Sequence, residues 1–106
     1  MARLVVSLLA QADTAQIVTD LAGGAGHPVA ARYAASFERL YERLTRHPES
    51  GAPRPAMGRH VRISIVSPYV VIYEHVAAED TVTILRIAHG RRNITRSFVK
   101  GRDEKG

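Results

Sequence analysis
The sequence predicts an α+β domain in the order β-α-α-β-β-β, with a helix hairpin packed on a small antiparallel sheet. Three observations predict it. Val29, Tyr33, Phe37, Leu40, Tyr41 and Leu44 recur at spacings of three and four, which builds one apolar stripe on a helix. Val61–Val66, Tyr69–Val76 and Thr81–Ala88 are β-prone and are joined only by Ser67-Pro68 and by Ala77–Asp80, so they must pair antiparallel. Arg3–Leu9 is a short, bounded apolar run that reads as a further strand.

Taken in order, Arg3–Leu9 is followed by a helix over Ala12–Ala22, in which Ala10, Ile17, Val18 and Leu21 keep helical spacing and Asp13, Gln16 and Asp20 lie off that face. The glycines of Gly23–Pro28 end this helix, and Pro28 suits the first turn of the next. On that second helix Glu38, Arg39, Glu42, Arg43 and Arg46 lie off the apolar stripe, with Glu42 and Arg46 in the favourable order four residues apart. His47–Gly58, rich in proline and glycine, is loop. Val61–Val66 alternates, Val61, Ile63 and Ile65 on one face against Arg62 and Ser64 on the other. Thr81–Ala88 is apolar on both faces, which places it inside the sheet. Thr95–Lys100 reads equally as a helical turn or an edge strand. One domain over residues 1–101 with a loose tail over 102–106 is the expected organisation.

Composition narrows the chemistry. Hydrophobic residues make up 45% of the 106-residue chain, enough for one two-layer core. With no cysteine there is no disulfide and no thiol nucleophile, which is compatible with a reducing cytosol. The N-terminal MARLVVSLLAQA is a miniature of a secretory signal, but it is shorter than such signals and reads better as a strand. No apolar segment is long enough to span a membrane. The formal net charge is +5, and all of it lies after residue 85: that span holds seven basic and two acidic residues, while residues 1–85 hold eight of each. A field concentrated in this way attracts a polyanion or an acidic protein.

Catalytic signatures are missing. The five histidines make no pair at helical metal-binding spacing, and no second ligand type joins them, so no metal is expected. Ser64 and Ser67 have no evident base, and Gly23-Gly24-Ala25-Gly26 lacks the ending of a phosphate loop. Arginine remains. Arg62 and Arg86 lie within strands, and Arg91-Arg92 lie just beyond one. A guanidinium on a strand is costly to desolvate, so it faces a groove, a partner, solvent or a buried counter-ion. For Arg62 an ordinary outward position competes with a binding role; for Arg86 a buried ion pair does; for Arg91-Arg92 a solvated strand end does. Tyr33 and Tyr41 belong to the helix stripe, which weakens a reading of the tyrosines and basic residues as a single-strand nucleic-acid surface.

The segment from Val61-Arg62, through Tyr69-x-x-Ile72-Tyr73, to Val82-x-Ile84-Leu85-Arg86-Ile87-x-His89-Gly90-Arg91-Arg92-Asn93 resembles the ParE toxins of the ParE/RelE superfamily. Upstream, Asp13 fits that family's first-helix acid, Ala31-Arg32-Tyr33 its second helix, and His47–Pro55 its proline-rich loop. The resemblance covers nearly the whole chain and implies the same β-α-α-β-β-β fold. It implies a cytoplasmic toxin of a type II toxin–antitoxin system, of the kind linked to plasmid stabilisation. Such a toxin binds and inhibits DNA gyrase, uses no cofactor, and is neutralised by a ParD-like antitoxin through an acidic, partly disordered segment. Nucleic acid would then be met only indirectly, through gyrase.

The RelE branch of the superfamily instead cuts mRNA on the ribosome. Here Phe98 falls where those enzymes carry a tyrosine, and Val70 where they carry an arginine after the position of Tyr69. Both departures argue against ribonuclease chemistry, and no catalytic residue is assigned. A plain nucleic-acid module, with affinity falling steeply in salt, is the third reading. The expected partner-binding set is Arg62, Tyr69, Arg86, His89, Arg91, Arg92 and Arg96.

Overall fold
The structure, a computed structural model, describes residues 1–101; the tail expected over 102–106 lies outside the described residues. The elements are β1 (Arg3–Val6), α1 (Leu8–Ala25), α2 (His27–Arg46), β2 (Ala52–Pro53), β3 (Val61–Val66), β4 (Tyr69–Val76), β5 (Thr81–His89) and α3 (Arg96–Val99), with short 3-10 turns at Pro55–Met57 and Ala77–Glu79. The strands form one sheet in the order β1-β5-β4-β3-β2. Among the described residues no helix is long and apolar enough to cross a membrane.

The predicted β-α-α-β-β-β order and the helix hairpin on the sheet are both present. The sheet itself is mixed rather than wholly antiparallel. β3, β4 and β5 pair antiparallel, but β1 lies parallel to β5, Arg3 opposite Thr81 and Val6 opposite Ile84. The helix hairpin carries the chain to the far edge of the sheet, and the β3–β4–β5 meander then brings it back beside β1 in the same direction. β2 is a two-residue edge pairing within the segment expected to be loop.

β1 stops at Val6, three residues earlier than the apolar run suggests, because Ser7 takes over as a helix cap. Its Oγ accepts from the Ala10 N–H at 3.0 Å and donates to the Leu85 carbonyl at 2.9 Å. Helix α1 therefore begins at Leu8. It also runs past Gly23 and Gly24, which stay helical in open space, and ends at Gly26, whose φ of 97° only glycine adopts readily. Pro28 opens α2 as expected.

The sheet has two covered faces. Against the helix hairpin lie Val71, Tyr73, Val82, Ile84 and Ile87, packed on Phe37, Leu40, Tyr41 and Leu44 of α2 and on Ala10 of α1. The opposite face carries Val61, Ile72 and Ala88 under Phe98 and Val99 of α3, with Met57 beside them. Thr95–Lys100 thus resolves into a helical turn, capped by the Thr95 hydroxyl accepting from the Phe98 N–H at 3.1 Å. Ile65, expected on the apolar face of β3, lies opposite Val70 close to the β3–β4 turn and is 55% exposed.

β5 carries a bulge that breaks the simple alternation of a strand. Ile72 pairs with Arg86 but Tyr73 pairs with Ile84, so Leu85 is the extra residue. Ile84 and Ile87 therefore share the hairpin face, and Leu85 and Ala88 share the other. That is why β5 is apolar on both sides and still admits Arg86.

Tyr73 ties the proline-rich loop to the core. Its hydroxyl donates to the Pro48 carbonyl at 2.8 Å and accepts from the Gly51 N–H at 2.9 Å. A Cβ on Gly51 would stand 2.5 Å from both that hydroxyl and the Ile63 carbonyl. Tyr73→Phe strands two polar groups and is expected to cost about 1–3 kcal/mol. Gly51→Ala is expected to cost a comparable amount by overpacking, about 1–3 kcal/mol. Urea unfolding of both variants checks this, and wild-type midpoints would contradict the tie. Burial also raises the Tyr73 and Tyr41 hydroxyls above the usual phenol value of 10.0. The folded chain then keeps protons that the unfolded chain loses above about pH 10, so stability is full below that pH and falls as pH rises past it. The urea midpoint should drop between pH 9 and 11, and a flat midpoint would refute the sign.

Candidate partner-binding site
The site begins with the end of β5. Gly90 donates its N–H to the Pro68 carbonyl at 2.8 Å, which fastens the strand end to the β3–β4 turn. The chain then folds back tightly. Arg92 N–H donates to the His89 carbonyl at 2.9 Å, and Arg91 N–H donates to His89 Nδ1 at 3.1 Å. Two adjacent arginines are in this way sent in different directions: Arg91 is exposed and Arg92 is half-buried.

Phe98 organises the inner side. Its ring is buried, and the guanidinium carbons of Arg86 and Arg92 lie 3.9 and 4.1 Å from its centroid. Such cation–π contacts strengthen once water is excluded. Arg86 is further held by Asp13 of α1: Nε donates to Oδ2 at 2.7 Å and Nη2 to Oδ1 at 2.8 Å. Its Nη1 donates to the Phe98 carbonyl at 2.6 Å. Asp13 Oδ2 also accepts from the Ile87 N–H at 3.0 Å. This bidentate pair, with side chains 13% and 15% exposed, clamps α1 and α3 to the edge of β5 beyond the reach of β1.

An open groove runs between α1 and the end of β5. Asp13, Gln16, Ile17 and Asp20 form its α1 wall, and Tyr69, His89, Arg92 and Phe98 form the other. Tyr69 packs edge-on against Tyr33, Phe37 and His89 at centroid distances of 5.5–5.9 Å, and burial raises its hydroxyl above the usual value. The groove is amphoteric: acid on the helix side, cation and aromatic on the sheet side.

The seven expected residues divide into three groups. Tyr69, His89 and Arg92 line the groove, with Arg86 in its floor. Arg91 and Arg96 are exposed outside it. Arg62 stands apart. Its Nη1 donates to the Glu49 and Gly51 carbonyls at 3.0 and 2.8 Å, so it braces the loop before β2. Arg86 likewise makes internal contacts, and the buried ion pair weighed against a binding role in the sequence is present. The α1 wall was missed as a surface, although the signal was there: residues 13, 16, 17 and 20 repeat at helical spacing on one side of α1.

Residues 4–94 match the model of the family described as the ParE toxin of the type II toxin–antitoxin system parDE. Among solved structures, a chain of the chromosomal ParDE toxin–antitoxin system from P. aeruginosa is similar at 22% identity and a TM-score of 0.70, covering 84% of this chain and 96% of that one. A chain of the toxin–antitoxin complex RelBE2 from Mycobacterium tuberculosis is similar at 20% identity and a TM-score of 0.61, covering 83% and 96%. At these identities the likeness establishes the fold. No curated protein matches the chain.

Proposed function
The chain belongs to the ParE toxin family of type II toxin–antitoxin systems, and from that membership we propose that it inhibits DNA gyrase by binding, in the cytoplasm, and is neutralised by a ParD-like antitoxin. The observation that carries the reading is the braced strand end. It holds exposed Arg91 next to a groove whose inner groups are committed to packing and ion pairing rather than to proton transfer. Phe98 has no hydroxyl and is occupied by two guanidinium groups. Val70 packs toward α3 on the face away from the helix hairpin. Neither position supports the RelE-like alternative of ribosome-dependent mRNA cleavage.

The antitoxin of this reading is an acidic, partly disordered segment that folds as it crosses the groove. Its approach is steered by Arg91 and Arg96. Arg92 is unsuited to test that steering, because reversing it would also disturb the Phe98 stack. Charge reversal in Arg91→Glu/Arg96→Glu should slow association about tenfold or more at low salt and much less at high salt, with dissociation little changed. Stopped-flow binding measures this; equal association rates at low salt would place the contact elsewhere. Purified chain should block gyrase supercoiling, and added antitoxin should restore it. Normal supercoiling with the chain in excess would remove the gyrase reading.

A further inference from the structure
A second cationic surface lies on α2, hidden in the sequence by the neutral balance of residues 1–85. Arg32, Arg39, Arg43 and Arg46 follow one another at intervals of seven, four and three. At about 100° per residue they fall within an arc of about 60°, and at about 1.5 Å rise they extend over about 21 Å. Arg32, Arg39, Arg43 and Arg46 are all exposed. Arg39 makes a hydrogen bond to Ser36 Oγ at 3.0 Å, and Arg46 pairs with Glu42 at 3.1 Å. The acids of the helix, Glu38 and Glu42, lie to one side of this line, and the buried stripe lies on the other. Shallow grooves flank the line, one of them walled by Val66 and Ser67, and none of their lining residues belongs to the groove beside β5.

The chemistry of the surface selects among polyanions. Among the described residues the large hydrophobic side chains left exposed are Met1, Val5, Leu8, Leu9 and Ile65, and none is on α2. The fully buried core of a protein interface is more apolar than the rest of the surface, and the line offers no exposed large hydrophobic side chain to form one. Single-stranded nucleic acid needs exposed rings on which bases stack, whereas Tyr33 is turned edge-on to Tyr69 with its hydroxyl donating to the Ser67 carbonyl at 3.3 Å. Phosphate contacts to a duplex need neither. They need cations held along a stiff, straight element, facing one charge per about 1.7 Å of helix axis.

We infer that the α2 arginine line docks the phosphate backbone of duplex DNA, a direct nucleic-acid contact where only an indirect one was expected. This inference is independent of the gyrase reading. The test uses the purified full chain and a fluorescent 30-base-pair duplex of mixed sequence, with anisotropy read from 50 to 200 mM salt. Arg32→Ala/Arg39→Ala/Arg43→Ala should bind about tenfold or more weakly at 50 mM salt, and the slope of log affinity against log salt should shrink by about 2–3. The matching triple change to lysine keeps the charges and should bind within a few-fold of wild type. The alanine variant should melt close to wild type, because the three side chains it removes are exposed, and that melting measurement separates a lost contact from a lost fold. Arg91→Ala/Arg96→Ala should lose less than the α2 variant. Unchanged duplex binding in the alanine triple overturns the inference. So does an equal loss in the Arg91/Arg96 variant, tighter binding to the single strand than to the duplex, or a triple variant impaired only toward an acidic protein.

Discussion
Arg86→Met is expected to destabilise the fold by about 3–5 kcal/mol, because it leaves the Asp13 carboxylate shielded from water with no counter-charge. The pair is 13% and 15% exposed and bidentate, and the same carboxylate also receives the Ile87 N–H. For a domain of this size the loss corresponds to a melting temperature lower by about 10–25 °C. Arg86→Lys should not rescue it. A lysine offers one point charge and cannot supply the planar fork that meets Asp13 and the Phe98 carbonyl together. Removing both charges, in Asp13→Asn/Arg86→Met, should recover part of the loss, since the cost of a broken pair comes mainly from the partner left behind. A double-mutant cycle by urea unfolding measures the coupling. A single-variant loss below 1 kcal/mol would mean that the pair does not clamp α1 to β5.

Phe98→Ala is the second large effect, expected at about 3–5 kcal/mol from the transfer and cavity terms of a buried aromatic. Phe98 is 4% exposed and is the centre of the packing under α3. Its removal also takes away the ring against which Arg86 and Arg92 lie. Two consequences separate this from a simple cavity. The segment after β5 should become protease-sensitive before the rest of the fold, because α3 has only four residues and Phe98 and Val99 are its buried anchors. Phe98→Leu should restore much of the stability but not the ordered position of Arg92, so antitoxin binding should recover less than melting does. If the leucine variant regains both equally, the ring acts only as bulk.

The sequence showed its architecture where periodicity is strong. The α2 stripe, the two hairpins of β3–β5 and the interior place of β5 are all legible from spacing, because burial on one face imposes a period of 3.6 or 2. Boundaries set by single hydrogen bonds were not. Ser7 sits within an apolar run, and only its bonds to Ala10 and Leu85 show that a helix begins there. Parallel pairing of β1 leaves no local mark, since its partner β5 follows only after both long helices and three further strands. The bulge at Leu85 is likewise invisible in sequence, and it decides which side chains share a face with Arg86. At the site, the concentration of arginines was readable from charge, but the contacts each one makes were not. Arg62 and Arg86 find carbonyls and a carboxylate on segments distant in sequence. Arg91 and Arg92 are separated only by the turn that follows His89.

Under the proposed function, the exposed arginines beside the groove work by adhesion, with no covalent bond made or broken. Inducing the chain without antitoxin in cells, and following plasmid supercoiling and mRNA ends in the same samples, tests it most directly. Loss of negative supercoiling with transcripts intact is the result the account predicts. New mRNA ends that depend on translation, with supercoiling unchanged, would contradict it.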